Sequence, residues 1–265
     1  MTRSVDPDDK VQQYRLRGER HEENFLRVTR AQFDRQRDFI LGKLDTTPMP
    51  TKSYSKKDWL NDVVEWSAFD DELARALAPV MLAVINETGK LAMEQVALDP
   101  SLFNTFNQAI QDYYNSRSTK VSKSVNDETE KQLRAELAEG IRSGETSYEL
   151  RARVEKVFGF AATVRADRIA RTEVTTAQSF ADIEAWDQSG VVEAKEWFVA
   201  GDERVCRLCR PMNGKIIGLR DNYFNKGDVY VGDEGQSINL DYSDIQGPSL
   251  HNNCRCVLLP VLIET

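Results

Sequence analysis

A chain of 265 residues, 40% hydrophobic and 29% charged, is long enough for one large domain or two modest ones and apolar enough to bury a core. Its net charge of −8 excludes broad coating of nucleic acid, which needs clustered Lys and Arg to neutralise phosphates, and leaves room only for a local basic patch. No secretory signal is expected, because Met1-Thr2-Arg3-Ser4-Val5-Asp6 runs into acids, and the apolar runs read as too short to cross a bilayer, so no membrane partner is expected.

Residues 1–45 interleave Arg15, Arg17, Arg20, Arg27, Arg30, Arg35 and Arg37 with acids, punctuated by Tyr14, Phe25, Phe33 and Phe39. The pattern predicts a solvated helix with scattered apolar anchors. A Thr-, Pro-, Ser- and Lys-rich linker follows from Thr46 to Lys57, where Pro48 and Pro50 break any helix. From Asp58 to about Ser116 the spacing is helical, with Trp59, Val63, Trp66, Leu73, Leu77, Val80, Val84 and Leu91 at three- and four-residue steps. Pro79 is expected to kink or split this stretch and Gly89 to weaken it. Asp99-Pro100-Ser101 reads as a break before a helix carrying Leu102, Phe106, Ile110 and Tyr113.

The polar patch from Ser116 to Asn126 is expected to lead into a helix ending near Gly140. Thr146 and Glu149 have capping-box spacing, opening a short helix with Leu150, Val154 and Val157 that stops near Gly159. A long helix from about Val164 to Ser189 ends at Gly190. Short β-like segments follow, at Val191-Val192, Lys195 to Val199, Lys215 to Ile217 and Cys256 to Leu259. The polar, turn-rich excursion from Arg220 to Gln246 reads as a surface loop or hairpin. The fold class is therefore α+β: a predominantly helical N-terminal two-thirds, then a small zinc-stabilised β-rich unit. The expected divisions are 1–57, a charged helical arm and linker, 58–142, a helical region, and 143–265, whose last part, 191–265, is the β-rich unit.

All four cysteines lie in the last sixty or so residues: Cys206 and Cys209 in a C-x-x-C, Cys254 and Cys256 beside His251 in His-x-x-Cys-x-Cys. Without a secretory signal, this points to a reducing compartment and to metal binding over disulfides. Two sulfur pairs brought together make the tetrahedral soft-donor site that Zn²⁺ selects. Five candidates compete for four positions. The set Cys206, Cys209, Cys254 and Cys256 is favoured, since residues two apart on an extended segment share a face, with His251 close behind. A redox C-x-x-C lacks its βαβ context.

A catalytic zinc is disfavoured. A zinc deaminase pairs H-x-E with P-C-x-x-C, whereas the only such triplet is His21-Glu22-Glu23 and the residue before Cys206 is Val205. His21-Glu22 also has no partner histidine for a zinc protease. No complete catalytic set emerges, so the expectation is a structural metal and no enzyme. A zinc-containing nuclease or other DNA-processing enzyme is the main alternative, and a DNA-binding module using the N-terminal arginines is another.

On the long helix, Arg168, Arg171, Thr172 and Glu173 read either as a solvated face with weak ion pairs or as a network docking the β unit. Trp197 and Phe198 read as core of that unit. Asp202 and Glu203 lack support for a second metal.

The ordered run Ile169-Ala170-Arg171-Thr172-Glu173, Gly190-Val191, Lys195-x-Trp197, Asp202-Glu203-Arg204-Val205-Cys206-x-x-Cys209, Gly214 and His251-x-x-Cys254-Arg255-Cys256, ending near Pro260, resembles the phage Mu F-like minor head protein family. The likeness covers roughly Ser143 to Pro260. It departs in the long 220–246 excursion and in Ser249-Leu250 before His251, where relatives often carry prolines. What it implies is a minor capsid, or head morphogenesis, protein of a phage or prophage that acts in prohead assembly. Its partners would be the portal protein and a major capsid or scaffold protein, and contact with packaged DNA is left open. Its place would be the host cytoplasm during assembly, then the capsid interior of the virion.

Overall fold

The computed structural model describes residues 6–47, 59–199 and 206–263. Six helices come first: α1 (Pro7–Thr46), α2 (Trp59–Val63), α3 (Trp66–Gln95), α4 (Gln108–Ser143), α5 (Ser147–Phe160) and α6 (Ala166–Ser189). Five short strands follow: β1 (Val192–Phe198), β2 (Lys215–Gly218), β3 (Val229–Val231), β4 (Ser237–Asn239) and β5 (Val257–Leu262). The expected linker prolines, Pro48 and Pro50, lie outside the described residues. Two compact units emerge, each drawing on distant parts of the chain. One comprises 1–23, 80–111 and 168–265, the other 24–79 and 112–167.

The second unit is helical. Phe25, Phe33, Leu60, Leu73, Leu77, Leu133, Leu150, Val154 and Phe158 form much of its core, and the rings of Phe33 and Phe158 lie 6.4 Å apart. The polar patch at 116–126 does not precede a helix; it is inside α4. Ser118, Ser122, Asn126 and Thr129 are buried at near-helical steps, so they form an inward stripe rather than a breaker. Their polar atoms are satisfied locally: Ser118 Oγ donates to Tyr114 O at 2.6 Å and Thr129 Oγ1 to Val125 O at 2.8 Å. Asn126 accepts from Gln36 at 2.9 Å and donates to Asp70 at 2.7 Å. Arg165 donates to Val125 O and Thr129 Oγ1, and burial lowers its pKa. Most buried polar groups in proteins are partnered in this way.

Three helix boundaries differ from the sequence expectation. α3 runs unbroken through Pro79, because the apolar residues on either side, Leu73, Leu77, Met81 and Val84, are all buried and packing overrides the local cost. α5 ends at Phe160, beside Gly159 as expected, but no break follows; the chain continues through a π turn at Ala161–Arg165 into α6, and such turns insert one residue without interrupting the helical path. The helix expected to carry Leu102 and Phe106 begins only at Gln108; those two residues sit on the preceding loop. The capping box is present, with Thr146 accepting from Glu149 N and the Glu149 carboxylate accepting from Thr146 N.

α3 also corrects the expectation drawn from apolar run length. By length and composition it is long and apolar enough to cross a membrane, but half of its most apolar window is buried inside the protein. Its apolarity is that of a core helix. Within its second half, a Cβ on Gly89 would overlap the ring of Phe103, itself only 5% exposed. Gly89→Ala is therefore expected to destabilise by about 1–3 kcal/mol through overpacking, despite the gain of about 1 kcal/mol in helix propensity. A denaturant midpoint equal to or above the parent's would show that Phe103 moves aside freely.

The first unit combines the start of α1, the end of α3, α6 and all the strands. Lys10 and Asp182 form an ion pair at 3.1 Å, with side-chain exposures of 0% and 1%. Tyr14 also donates to Asp182, and the Lys10 ammonium lies over the rings of Tyr14 and Trp186 at 4.7 and 4.5 Å. Gly190, at φ +67°, closes α6 in the left-handed conformation that glycine adopts without cost.

The chain then enters an antiparallel sheet ordered β2-β1-β5, with Trp197 opposite Lys215 on one side and Leu258 on the other. The buried Lys195 donates to the carbonyls of Leu219 and Asp221 at 2.6 and 2.8 Å. It thereby ties β1 to the turn after β2, and burial lowers its pKa to about 8. The 220–246 excursion carries the β3–β4 hairpin, as its turn-rich composition predicts.

Candidate metal centre

The C-x-x-C forms a tight knuckle. Cys209 N and Arg210 N both donate to Cys206 O at 3.1 Å, and Cys209 N also reaches Cys206 Sγ at 3.3 Å. The hairpin of the excursion closes over it: Asp233 N donates to Arg207 O at 2.9 Å, and Arg207 pairs with Glu234 at 2.8 Å. A side chain at Gly232 would collide with the Arg207 carbonyl, so the close approach requires glycine. This clamp escapes sequence reading, because nothing in the excursion's composition says which neighbour it covers.

The second group of donors comes from the segment entering β5. Cys254 N donates to His251 O at 3.3 Å, forming a turn. His251 Nε2 lies 2.9 Å from Cys206 Sγ and 3.1 Å from Cys209 Sγ, while Cys209 Sγ lies 3.7 Å from Cys254 Sγ. The donor atoms group as two triads that share Cys209: Cys206, Cys209 and His251, then Cys209, Cys254 and Cys256. A tetrahedron with Zn–S bonds of about 2.3 Å has edges of about 3.8 Å, which the Cys209–Cys254 separation meets. The two sulfur–imidazole distances are shorter than such an edge and would widen around an ion. His251 Nδ1 lies 2.7 Å from Asn252 O. An N–H there donates to the carbonyl and leaves the Nε2 lone pair facing the sulfurs, the usual second contact of a metal-binding histidine.

The electrostatics agree with a thiolate-seeking site. Hydrogen bonds from Cys209 and Cys256 hold the Cys254 thiol far below its ordinary range, and the bond to Cys254 pushes Cys209 up. One thiolate shared among thiols is what a buried sulfur cluster sustains alone; a divalent cation is what allows the others to ionise. Cys209, Cys254 and Cys256 are 2%, 1% and 6% exposed. They pack with Trp197, Leu208, Met212, Tyr230 and Leu250, and Trp197 meets Tyr223 edge-on at 5.1 Å.

α6 supports this segment through hydroxyls. Thr175 Oγ1 donates to Cys254 O at 3.2 Å, Thr172 Oγ1 accepts from Asn253 N at 3.4 Å, and Thr176 Oγ1 lies 3.1 Å from Ser249 Oγ. The sequence pattern points to Thr172 alone, although the spacing of Thr175 and Thr176 from it marks the same helix face. Arg171 pairs with Glu22 of α1 at 3.3 Å, Arg168 is exposed and Glu173 buried. Asp202 and Glu203 lie outside the described residues.

The donors, the α6 face and β1 all fall within one matched region. A family model described as Phage Mu protein F like protein matches residues 131–259. Residues 131–259 are thus similar to the Phage Mu F-like family. No curated protein and no solved structure matches the chain. The family is one of phage head morphogenesis proteins. Its Mu F-like stretch starts within α4 and ends inside β5, so it takes in α5, α6 and every cysteine.

Proposed function

We propose that the protein is a non-enzymatic minor capsid component acting in prohead assembly, bound to the portal and the inner capsid surface, with one structural zinc ion stapling its C-terminal unit. The reading rests on the Mu F-like match over 131–259, and the zinc on the two donor triads meeting at Cys209. Cys206, Cys209, Cys254, Cys256 and His251 supply the ligands, four of the five holding the ion. Its role is structural because every donor belongs to the packed unit and closed sites of this kind contribute folding energy directly. In this reading α6, through Arg168, Arg171, Thr172 and Glu173, docks the unit, and the protein works in the host cytoplasm before becoming internal to the virion.

The arginines of α1 weigh against a DNA-binding arm. Arg17 and Arg20 pair with Glu87, Arg15 with Glu19, Arg30 with Asp167 and Arg37 with Asp34 and Asp38. Their charge is largely returned to the protein's own acids, which leaves little for phosphate. His21 lies 3.0 Å from Glu87 within the same cluster, its pKa lowered by burial against the pull of that carboxylate.

Two measurements test the proposal. Zinc is expected to co-purify at about one ion per chain; a folded, reduced sample free of metal would sink the staple. Disruption of the gene in its phage or prophage is expected to yield portal-bearing heads that fail to mature. Normal infectious particles from that disruption would overturn the assembly role, and metal-dependent DNA cleavage lost on His251→Ala would favour a nuclease instead.

A further inference from the structure

The knuckle at Cys206–Cys209 and the segment carrying His251, Cys254 and Cys256 are far apart in the chain, with 42 residues between Cys209 and His251. One intervening stretch, the excursion from Arg220 to Gln246, bonds to both. Its hairpin tip reaches the knuckle: Asp233 N donates to Arg207 O at 2.9 Å, and Asp233 and Glu234 pair with Arg210 and Arg207 at 3.5 and 2.8 Å. Glu234 holds a left-handed backbone, φ +55°, which a residue with a side chain disfavours. The return leg reaches the other segment, where Tyr242 Oη donates to Leu250 O at 2.6 Å, one residue before His251. Between these ends the excursion is anchored in the core. Tyr230, Leu240 and Ile245 are buried in the same cluster as Cys209, Cys254 and Cys256. Tyr223 N donates to Ile245 O at 2.7 Å and Leu240 N to Asp228 O at 2.9 Å, closing the excursion on itself. None of these bonds needs a metal.

We propose that the excursion is a preorganising strap for the metal site. It holds the two donor segments within reach of one another before zinc arrives, and it slows the ion's escape afterwards. This rests on the zinc reading of the cluster. An ion whose ligands come from two segments leaves when those segments part, and here they part only if the strap lets go of one of them. Holding the ligands in place beforehand removes part of the ordering cost of binding, and contacts outside the ligand sphere commonly change metal affinity by about 10–100-fold. The tip depends on Gly232. A Cβ there would lie 2.5 Å from Arg207 O and 2.9 Å from Leu208 Cα, both backbone atoms, so any side chain lifts the tip from the knuckle. Val229 and Val231 of the same hairpin face solvent, at 65% and 59% exposure, and take no part in the clamp.

The test uses the full-length, zinc-loaded protein, with release of zinc to an excess of a colorimetric chelator followed in time and affinity measured by competition. Gly232→Ala is expected to keep about one zinc per chain and to release it about tenfold faster or more. Tyr242→Phe removes only the hydroxyl and is expected to release zinc about three- to tenfold faster. Affinity should fall in the same order. Val231→Thr, on the solvent face of the hairpin, is expected to release zinc as wild type does. Circular dichroism unchanged in all three variants separates a loosened strap from an unfolded protein. Wild-type release rates in both Gly232→Ala and Tyr242→Phe overturn the strap and leave the zinc reading standing. A folded, reduced wild type that binds no zinc overturns the zinc reading and the strap with it.

Discussion

Replacing Asp182 with alanine is expected to destabilise the protein by about 3–5 kcal/mol, because it leaves the Lys10 ammonium buried with no counter-charge. Both side chains are shielded from solvent, and the two flanking rings offer Lys10 only part of what the carboxylate provides. The pair itself is a different matter. Desolvation of two charges roughly offsets their attraction, so Lys10→Met combined with Asp182→Leu is expected to recover most of the loss.

The pH dependence of that double variant carries the sharper test. Burial raises Asp182 from 3.8 to about 6, so its contribution to stability is full at low pH and is lost as pH rises through that window. Burial lowers Lys10 from 10.5 to about 8, so its contribution is full at high pH and is lost as pH falls through that window. The wild-type pair is thus least favourable between about pH 6 and 8. The double variant should gain most over wild type there, and least near pH 4 and pH 10. Urea unfolding at three pH values measures it. A loss below 1 kcal/mol in Asp182→Ala, or a pH-independent difference for the double variant, would show that water reaches the pair.

Much of this architecture is legible in the sequence because it is local. The capping box at Thr146, the stop at Gly190 and the change of period after it each depend on a few adjacent residues, and each is where the spacing puts it. The misreadings share a physical cause. Pro79 and the 116–126 patch are breakers by propensity, yet each lies in a helix whose inward face is buried, and tertiary packing outweighs a cost of about 1–3 kcal/mol. Asn126 of the patch looks like a linker residue until Gln36 and Asp70, distant in sequence, supply its partners. The buried Lys10–Asp182 pair is invisible for the same reason: 172 residues separate the partners.

At the candidate site the donor types and spacing are readable, but their mutual arrangement is not. Cysteine spacing alone favours four sulfurs. The orientation of His251, with its Nδ1 engaged by Asn252, comes only from the turn that Cys254 closes.

Cys209→Ser is expected to have the larger effect of any single change at the cluster. Cys209 is the donor that belongs to both triads, so its loss separates the two halves of the cluster. Serine is nearly the same size, so the packing change is slight, and the loss falls on the metal. A structural zinc contributes on the order of 10 kcal/mol or more to small metal-stapled units, comparable to the whole stability of a typical domain. The variant is expected to lose its zinc and to expose 206–263 to proteolysis. Most of the helical signal should remain, since α1 to α5 hold cores of their own.

Two companions separate the remaining candidates. If the ion sits with His251, Cys256→Ser keeps about one zinc per chain and His251→Ala does not. If it sits with four sulfurs, the outcomes exchange. Retention of zinc and of protease resistance in Cys209→Ser itself would mean that the triads are not halves of one site, and that the close approach of Cys209 to Cys254 reflects packing alone.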